Sequence, residues 1–449
     1  MSAAIDARRP VAWPTAARLI GRWLERSERL DTLLDTLPAD LVGSERARCQ
    51  HLVFGVVRHF GRIEAALTQL MAHPPRFTTR GVLFVAGFEL IDASDKPVAD
   101  GIVAKIVHHA VEQTKTLASP AEAKLVNAVV RKLAVALAST APRAGAEPAQ
   151  LAEYFSHPEW LVRAWLAQFG PEATRSLLEW NQQPATVYAR WRATDEAPPG
   201  ILKPTKWAGF FEVESGHWPQ IEALLKSGKL YLQDPGTRLA VELLAPKAGE
   251  SVLDLCAAPG GKSLLIADAM KAGKPSFAEA TAGRLVAMDL PGARIDRLKE
   301  NLARVSGVEV ALVQADVLAD VTHALRAHKL PESFDAVLID VPCSNTGVMR
   351  HRADVKWRLQ AGDFKKHPQQ QLALLHAAAR MVAPATAGKP GGRLVYSTCS
   401  IDAEENERVI AEFFNSRAGG PFKLEASKQS LPWVTGHDGA AAFLLMRKG

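Results

Sequence analysis

Two of the four cysteines stand where a nucleophile would be useful. Cys343 follows Asp340 in DVPCSNTG, and Cys399 lies in YSTCS; each comes just after a short apolar run, FDAVLID or GRLVYST. A thiolate is a strong nucleophile and a competent leaving group, so it suits reactions that pass through a covalent adduct and regenerate the enzyme. A lone cysteine at a strand end is more often a small buried apolar residue. Two of them, each at a strand's carboxyl end beside an acid and a glycine turn, make the chemical reading the stronger one. Cys256, flanked by small apolar residues, reads as packed, and Cys49 in its helical apolar stripe reads as core. The wide spacing and the lack of a CxxC pair argue against a disulfide framework or a zinc site, so no metal is expected.

The strongest local signal is LDLCAAPGGKS, Leu253 to Ser263, an apolar run that ends in a glycine-containing turn and enters a helical pattern. Glycines let backbone approach a ligand closely, and in open α/β sheets ligands bind beyond the carboxyl ends of the strands. Cys256, Ala257, Ala258, Pro259, Gly260, Gly261 and Lys262 are therefore expected to line a nucleotide-type pocket. A phosphate-cradling P-loop would need a glycine where Cys256 stands, and the Rossmann GxGxxG is missing, which excludes both patterns.

Three acids close later apolar runs. Asp289 ends RLVAMD, where a carboxylate can accept from both ribose hydroxyls of a nucleoside, although capping the next helix is nearly as good an account. Asp316, in VQADV, could take the exocyclic amine of an adenine, with the same cap alternative. Asp340 could hydrogen-bond the ring nitrogen and amino group of a bound base.

These residues need a scaffold that brings strand ends to one edge. From Leu239 onward, short apolar runs (SVLDLC, RLVAMD, VEVALVQ, FDAVLID, GRLVYST) alternate with helical patterns such as RIDRLKENLARV and QQQLALLHAAARMV. That alternation means an α/β fold, a doubly wound and mostly parallel sheet. Ahead of it, Ala16 to about Val135 is helical throughout, and ALASTAPRAGAEPAQ reads as a linker. A mixed α+β stretch follows, with HPEWLVRAWLAQFG helical and ATVYARW and KLYLQ strand-like. The domains expected are an all-helical 1–140, an intermediate module 148–235 and a catalytic 236–449. AGKPSFAEATAGR reads as an inserted surface loop without chemistry.

Hydrophobic and charged fractions of 47% and 23% are those of a globular chain. The longest apolar run, near Gly81 to Ile91, falls short of the ~20 residues that cross a bilayer, so a cytoplasmic protein without membrane contact is expected. A formal net charge of +6 favours a polyanionic partner without proving one.

LDLCAAPGGKS, AMD, QAD, DVPCSNTG and YSTCS, in this order and spacing, resemble the RNA 5-methylcytosine methyltransferases of the NOL/NOP/SUN kind. FGVVRHF and VNAVVRKLA resemble the NusB-like RNA-binding domain found at the front of bacterial members, so the resemblance covers nearly the whole chain. It implies a Rossmann-like catalytic domain and S-adenosyl-L-methionine as cofactor, wrapped by Cys256 to Lys262 with Asp289 and Asp316. It places Asp340 between cofactor and base, with Lys262 in support. RNA is the implied partner, 16S ribosomal RNA in particular, bound by a monomer; transfer RNA or another ribosomal site is the alternative substrate, and a non-catalytic RNA-binding scaffold, which need not keep two crevice thiols, is the rival from another class. Carbon 5 of cytosine is too poor a nucleophile to take a methyl group unless a thiolate first adds to carbon 6. Chemistry alone does not choose between the thiols. The resemblance assigns the attack to Cys399 and release of the product to Cys343, whereas the Pro-Cys of DVPCS resembles the nucleophile dipeptide of DNA cytosine methyltransferases. Where the family reads DAPCSGTG, this chain has Val341 and Asn345.

Overall fold

The computed structural model describes residues 11–94, 101–138, 141–143, 145–272, 283–319 and 321–448. Most of the AGKPSFAEATAGR stretch lies outside the described residues. The chain forms two compact units, Met1–Pro184 with Met349–Leu359, and Ala185–Val348 with Gln360–Gly449. The first three helices of the expected 148–235 module, Pro148–Tyr154, Glu159–Phe169 and Pro171–Gln182, fall in the first unit, and its strands and the helix Trp218–Lys226 in the second.

The first unit is helical. Small residues set its central crossing: a Cβ on Gly81 would lie 2.2 Å from the Ala17 carbonyl oxygen, so helix Phe77–Ser94 can meet helix Ala12–Arg26 only through glycine there. Phe77–Ser94 contains the longest apolar run, buried from Gly81 to Phe88 on every side, as a core helix must be. No helix among the described residues is long and apolar enough to cross a membrane. Met349–Leu359 is built into this unit by Trp357 Nε1, which donates to the Val57 carbonyl (2.8 Å), and by Lys356 Nζ, which donates to that of Arg58 (2.9 Å).

The second unit holds two sheets among the described residues. The smaller is antiparallel, in the order β2-β3-β1-β4, from β1 (Tyr188–Trp191), β2 (Leu202–Pro204), β3 (Phe210–Val213) and β4 (Leu230–Leu232). The larger comprises β5 (Ser251–Leu255), β6 (Arg284–Asp289), β7 (Glu309–Gln314), β8 (Ala336–Asp340), β9 (Arg393–Thr398), β10 (Phe422–Ser430) and β11 (Ala440–Arg447), in the order β10-β11-β9-β8-β5-β6-β7. Strands β5 to β9 are parallel, and β11 runs antiparallel between β9 and β10. Alternate residues feed two cores: Leu253, Leu255, Val337 and Ile339 pack on one face, Val252, Ala336 and Leu338 on the other. That is why these strands read as continuous apolar runs. From β5 the chain builds outward to β6 and β7, then crosses back to add β8 and β9 on the opposite side. The order reverses between β5 and β8, the position where a doubly wound sheet opens a crevice.

Candidate active site at the switch point of the sheet

The turn after β5 is held from below. Ala257 N–H donates to the Met288 carbonyl (3.0 Å) and Ala258 N–H to Asp289 Oδ2 (2.8 Å). Gly260 sits at φ +104°, where a Cβ would also come within 3.0 Å of Leu298 Cδ1, so both backbone and space require glycine. Asn301 Nδ2 donates to the Pro259 carbonyl (2.6 Å) and to the Tyr231 hydroxyl (3.2 Å), and Gln233 Nε2 donates to that of Gly261 (3.0 Å). Tyr231, Gln233 and Asn301 escaped the sequence reading; short polar side chains from a small sheet and a helix flank carry no motif.

Above the turn lies a cleft of about 240 Å³, lined by Tyr231, Asp254, the Cys256–Pro259 turn, Gly261, Lys262 and Asp340 among others. Asp254 is wholly buried, and the loss of hydration pushes its carboxyl up to about 7. Its Oδ2 accepts from Ser263 Oγ (2.5 Å), whereas Oδ1 has no hydrogen-bond partner among the described residues. A buried acceptor without a partner beside a cleft at the switch point fits a polar nucleoside cofactor. Burial, reinforced by the nearby acids, pushes the Cys256 thiol up to about 12, which leaves it inert at neutral pH, as expected of a packing residue.

The two outer acids stand apart from the cleft lining. Asp289 is buried beneath the turn: besides Ala258 N–H, it accepts from Leu290 N–H (2.8 Å) and Arg294 (3.1 Å) through Oδ1. Asp316 is exposed and accepts from Leu318 N–H (2.8 Å). Both carboxylates thus carry backbone bonds of the kind a turn or helix cap makes.

Asp340 and Lys262 face each other across the crevice. Lys262 Nζ donates to Asp340 Oδ2 (2.7 Å), and Ser397 Oγ, from the residue paired with Asp340 across β8 and β9, donates to Oδ1 (2.6 Å). Burial pulls the Lys262 ammonium down, but the Asp340 charge outweighs it and the net shift is upward, so the pair is ionic.

Beyond this pair the thiols meet: Cys343 Sγ and Cys399 Sγ are 3.2 Å apart. The hydrogen bond between them, together with burial, pushes the Cys343 thiol well above its ordinary value and keeps it protonated. Asn345, at φ +62°, donates from Nδ2 to the Cys343 carbonyl (2.8 Å) and accepts from the Cys399 thiol at Oδ1 (3.3 Å). The two cysteine loops are laced together behind the sulfurs. Gly347 N–H donates to the Cys399 carbonyl (3.0 Å), Thr346 Oγ1 donates to Asp402, and the buried Glu405 accepts from Ser344 N–H (2.9 Å), Ser344 Oγ and Gln371 Nε2 (2.9 Å). His367 Nδ1 lies 3.3 Å from the same carboxylate. Burial opposes the charge on Glu405, yet these donors overcome it and hold the carboxyl below its usual range. The structure therefore gathers Lys262, Asp340, Cys343 and Cys399 around one crevice. It adds Glu405, whose place in IDAEEN gave no chemical signal.

A doubly wound sheet that reverses beside a glycine turn, with a cleft at the switch point and an antiparallel strand next to the far edge, is the arrangement of S-adenosyl-L-methionine-dependent methyltransferases, the class to which its family matches assign the chain. The family model described as 16S rRNA methyltransferase RsmB/F matches residues 241–431, and that of the NusB family matches residues 12–135. The ribosomal RNA small subunit methyltransferase B of Yersinia enterocolitica is 30% identical over 413 residues, 89% of this chain and 88% of the relative. That of Sodalis glossinidius is 31% identical over 412 residues, with the same shares. The chain belongs to the RsmB/F family of 16S rRNA methyltransferases. Among solved structures, PH0851 superimposes with a TM-score of 0.72 at 21% identity, covering 97% of this chain and 99% of the other. NSun6 from Pyrococcus horikoshii with SFG superimposes with a TM-score of 0.51 at 18% identity, covering 65% and 98%. These two carry the likeness of fold.

Proposed function

We propose that the protein methylates carbon 5 of a cytosine in RNA, 16S ribosomal RNA being the substrate favoured by its relatives, through a covalent adduct between Cys399 and carbon 6. The observation that carries the proposal is the pair of thiols 3.2 Å apart at the ends of adjacent strands, next to the Lys262–Asp340 pair. Bound S-adenosyl-L-methionine supplies an electrophilic methyl group on its sulfonium. The Cys256–Gly261 turn, Lys262 and Asp340 hold the cofactor's side of the crevice, and Asp289 supports that turn from beneath.

The Cys399 thiolate adds to carbon 6, and the displaced electron pair makes carbon 5 the nucleophile. Asp340 accepts from the exocyclic amine of the base, and the Lys262 ammonium keeps that carboxylate charged and aimed. Once carbon 5 carries the methyl group and the cofactor remains as the neutral thioether, the carbon 5 proton passes to solvent, the electron pair re-forms the ring double bond, and Cys399 departs as thiolate. Cys343, protonated and in contact with the departing sulfur, assists release. An in-stack base offers no access to carbon 6, so the target cytosine is single-stranded or flipped. The N-terminal domain 1–140, of which residues 12–135 match the NusB family model, supplies RNA affinity, and the 236–449 domain the chemistry. Bisulfite sequencing of ribosomal RNA from a strain lacking the gene, complemented with wild type or Cys399→Ala, tests this. One 16S position should lose its mark and regain it only with the wild type; restoration by Cys399→Ala refutes the nucleophile.

A further inference from the structure

We infer that Asn345 is a positioning residue for Cys399: its side-chain amide ties the sulfur, as a hydrogen-bond donor to Oδ1, to the Cys343 backbone. The inference rests on the reading of Cys399 as the nucleophile, but its evidence is separate. At φ +62° position 345 is left-handed, a conformation open to glycine at no cost and, among side chains, best to Asn and Asp. Glycine would satisfy the turn; asparagine adds an amide directed at the chemistry. Its Nδ2 donates to the Cys343 carbonyl (2.8 Å), which fixes the orientation, because a flipped amide would set Oδ1 against that carbonyl oxygen. Oδ1 must then face Cys399 Sγ, and it does so at 3.3 Å.

Cys399 has a single thiol proton. With that proton on Asn345, the sulfur lone pairs are left to accept from the Cys343 thiol at 3.2 Å, and the protons run from Cys343 to Cys399 to Asn345 without conflict. Ionising Cys399 breaks the bond to Asn345 and leaves the negative end of the amide dipole beside an anion. The other groups around the sulfur are the Cys343 thiol, the Lys262–Asp340 pair, and Glu405 and Asp402 behind Ser344, Thr346 and Ser400. All of them remain in an Asn345 variant, so a change at Asn345 isolates the amide.

Iodoacetamide alkylation of Cys399, followed by peptide mass spectrometry on the full-length protein from about pH 6 to 9, reads this directly. Asn345→Gly keeps the backbone and removes the acceptor. Below the plateau it should be alkylated about three- to tenfold faster than wild type, the effect of one neutral hydrogen bond on a thiol equilibrium, and reach the same plateau. Asn345→Asp keeps the turn but loses the donor to the Cys343 carbonyl; its negative charge beside the sulfur disfavours a thiolate whichever oxygen faces it, so it should be alkylated more slowly than wild type. An unchanged or slower Asn345→Gly, or an Asn345→Asp faster than wild type, overturns the inference. Alkylation requires neither RNA nor cofactor. If Cys399→Ala retained methylation, the nucleophile would be reassigned while the Asn345 contact stood; an inactive Cys399→Ala with unaltered Asn345→Gly alkylation would refute the positioning role alone.

Discussion

Glu405→Gln removes one charge from the knot that aligns the two cysteine loops. The wild-type carboxylate, itself fully buried, accepts from Ser344 N–H, Ser344 Oγ and Gln371 Nε2 and pairs with the half-buried His367. Glutamine retains one carbonyl acceptor for Ser344 N–H and Gln371, while its amide nitrogen faces a hydroxyl that must turn to accept. Charge-assisted bonds are roughly twice as strong as neutral ones, so the loss is about 1 kcal/mol in each of two retained bonds plus part of the His367 pair, about 2–3 kcal/mol together. For a unit of this size that lowers the melting temperature by roughly 5–10 °C. Because the Glu405 carboxyl titrates below its usual range in the folded protein, its contribution is present at neutral pH and lost as pH falls through that lowered value. The melting gap between wild type and Glu405→Gln should therefore close in acid. In methyl-transfer assays kcat should fall by roughly ten- to a hundredfold through misplacement of the sulfurs, while KM for S-adenosyl-L-methionine stays put, since the cleft is built on other loops. A variant that melts with wild type at neutral pH and turns over at the wild-type rate would refute the coupling of Glu405 to the cysteine loops.

Three further outcomes follow from the same geometry. A Cβ on Gly347 would lie 2.5 Å from the Gly439 carbonyl oxygen and 2.7 Å from that of Cys399, so Gly347→Ala should cost about 1–3 kcal/mol in urea denaturation and depress kcat. Asp254, pushed up to about 7 in the fold, destabilises it progressively as pH rises from about 4 toward 7; Asp254→Asn should be more stable than wild type at pH 8 and equal to it near pH 4 by thermal melting. Asp340→Asn keeps the shape but leaves the half-buried Lys262 ammonium without its carboxylate, so methylation should fall at least a hundredfold with little loss of RNA affinity in a filter-binding assay.

The helical front, the run of mostly parallel strands and the glycine turn at the crevice were legible because each depends on local pattern. Buried strands of a parallel sheet read as apolar runs, and a turn that must pass close to a ligand reads as Gly260–Gly261. The expected strands ATVYARW and KLYLQ appear as β1 and β4; β2 and β3 are no shorter, but β2 ends in Pro204 and β3 follows Gly209, so turn residues mask them. Asp289 and Asp316 illustrate the ambiguity of a strand-end acid: sequence places it at the edge, but whether it faces ligand or backbone is decided by the neighbouring turn. The supports Tyr231, Gln233, Asn301 and Glu405 were illegible because their roles arise from chain segments far apart in sequence. So was the placement of Met349–Leu359 in the helical unit, since the buried Lys356 and the Trp357 that anchor it look like an ordinary surface stretch. Asn345 stood out in sequence as a departure from the resembled motif, and only the geometry showed what its amide touches.

The covalent adduct is the most direct test of the account. Cys343→Ala should stall after methyl transfer, so incubation with substrate RNA and S-adenosyl-L-methionine, followed by denaturing electrophoresis and peptide mass spectrometry, should give a species in which methylated cytosine is joined to Cys399. Absence of any adduct, or one joined to Cys343 in the Cys399→Ala protein, would contradict it.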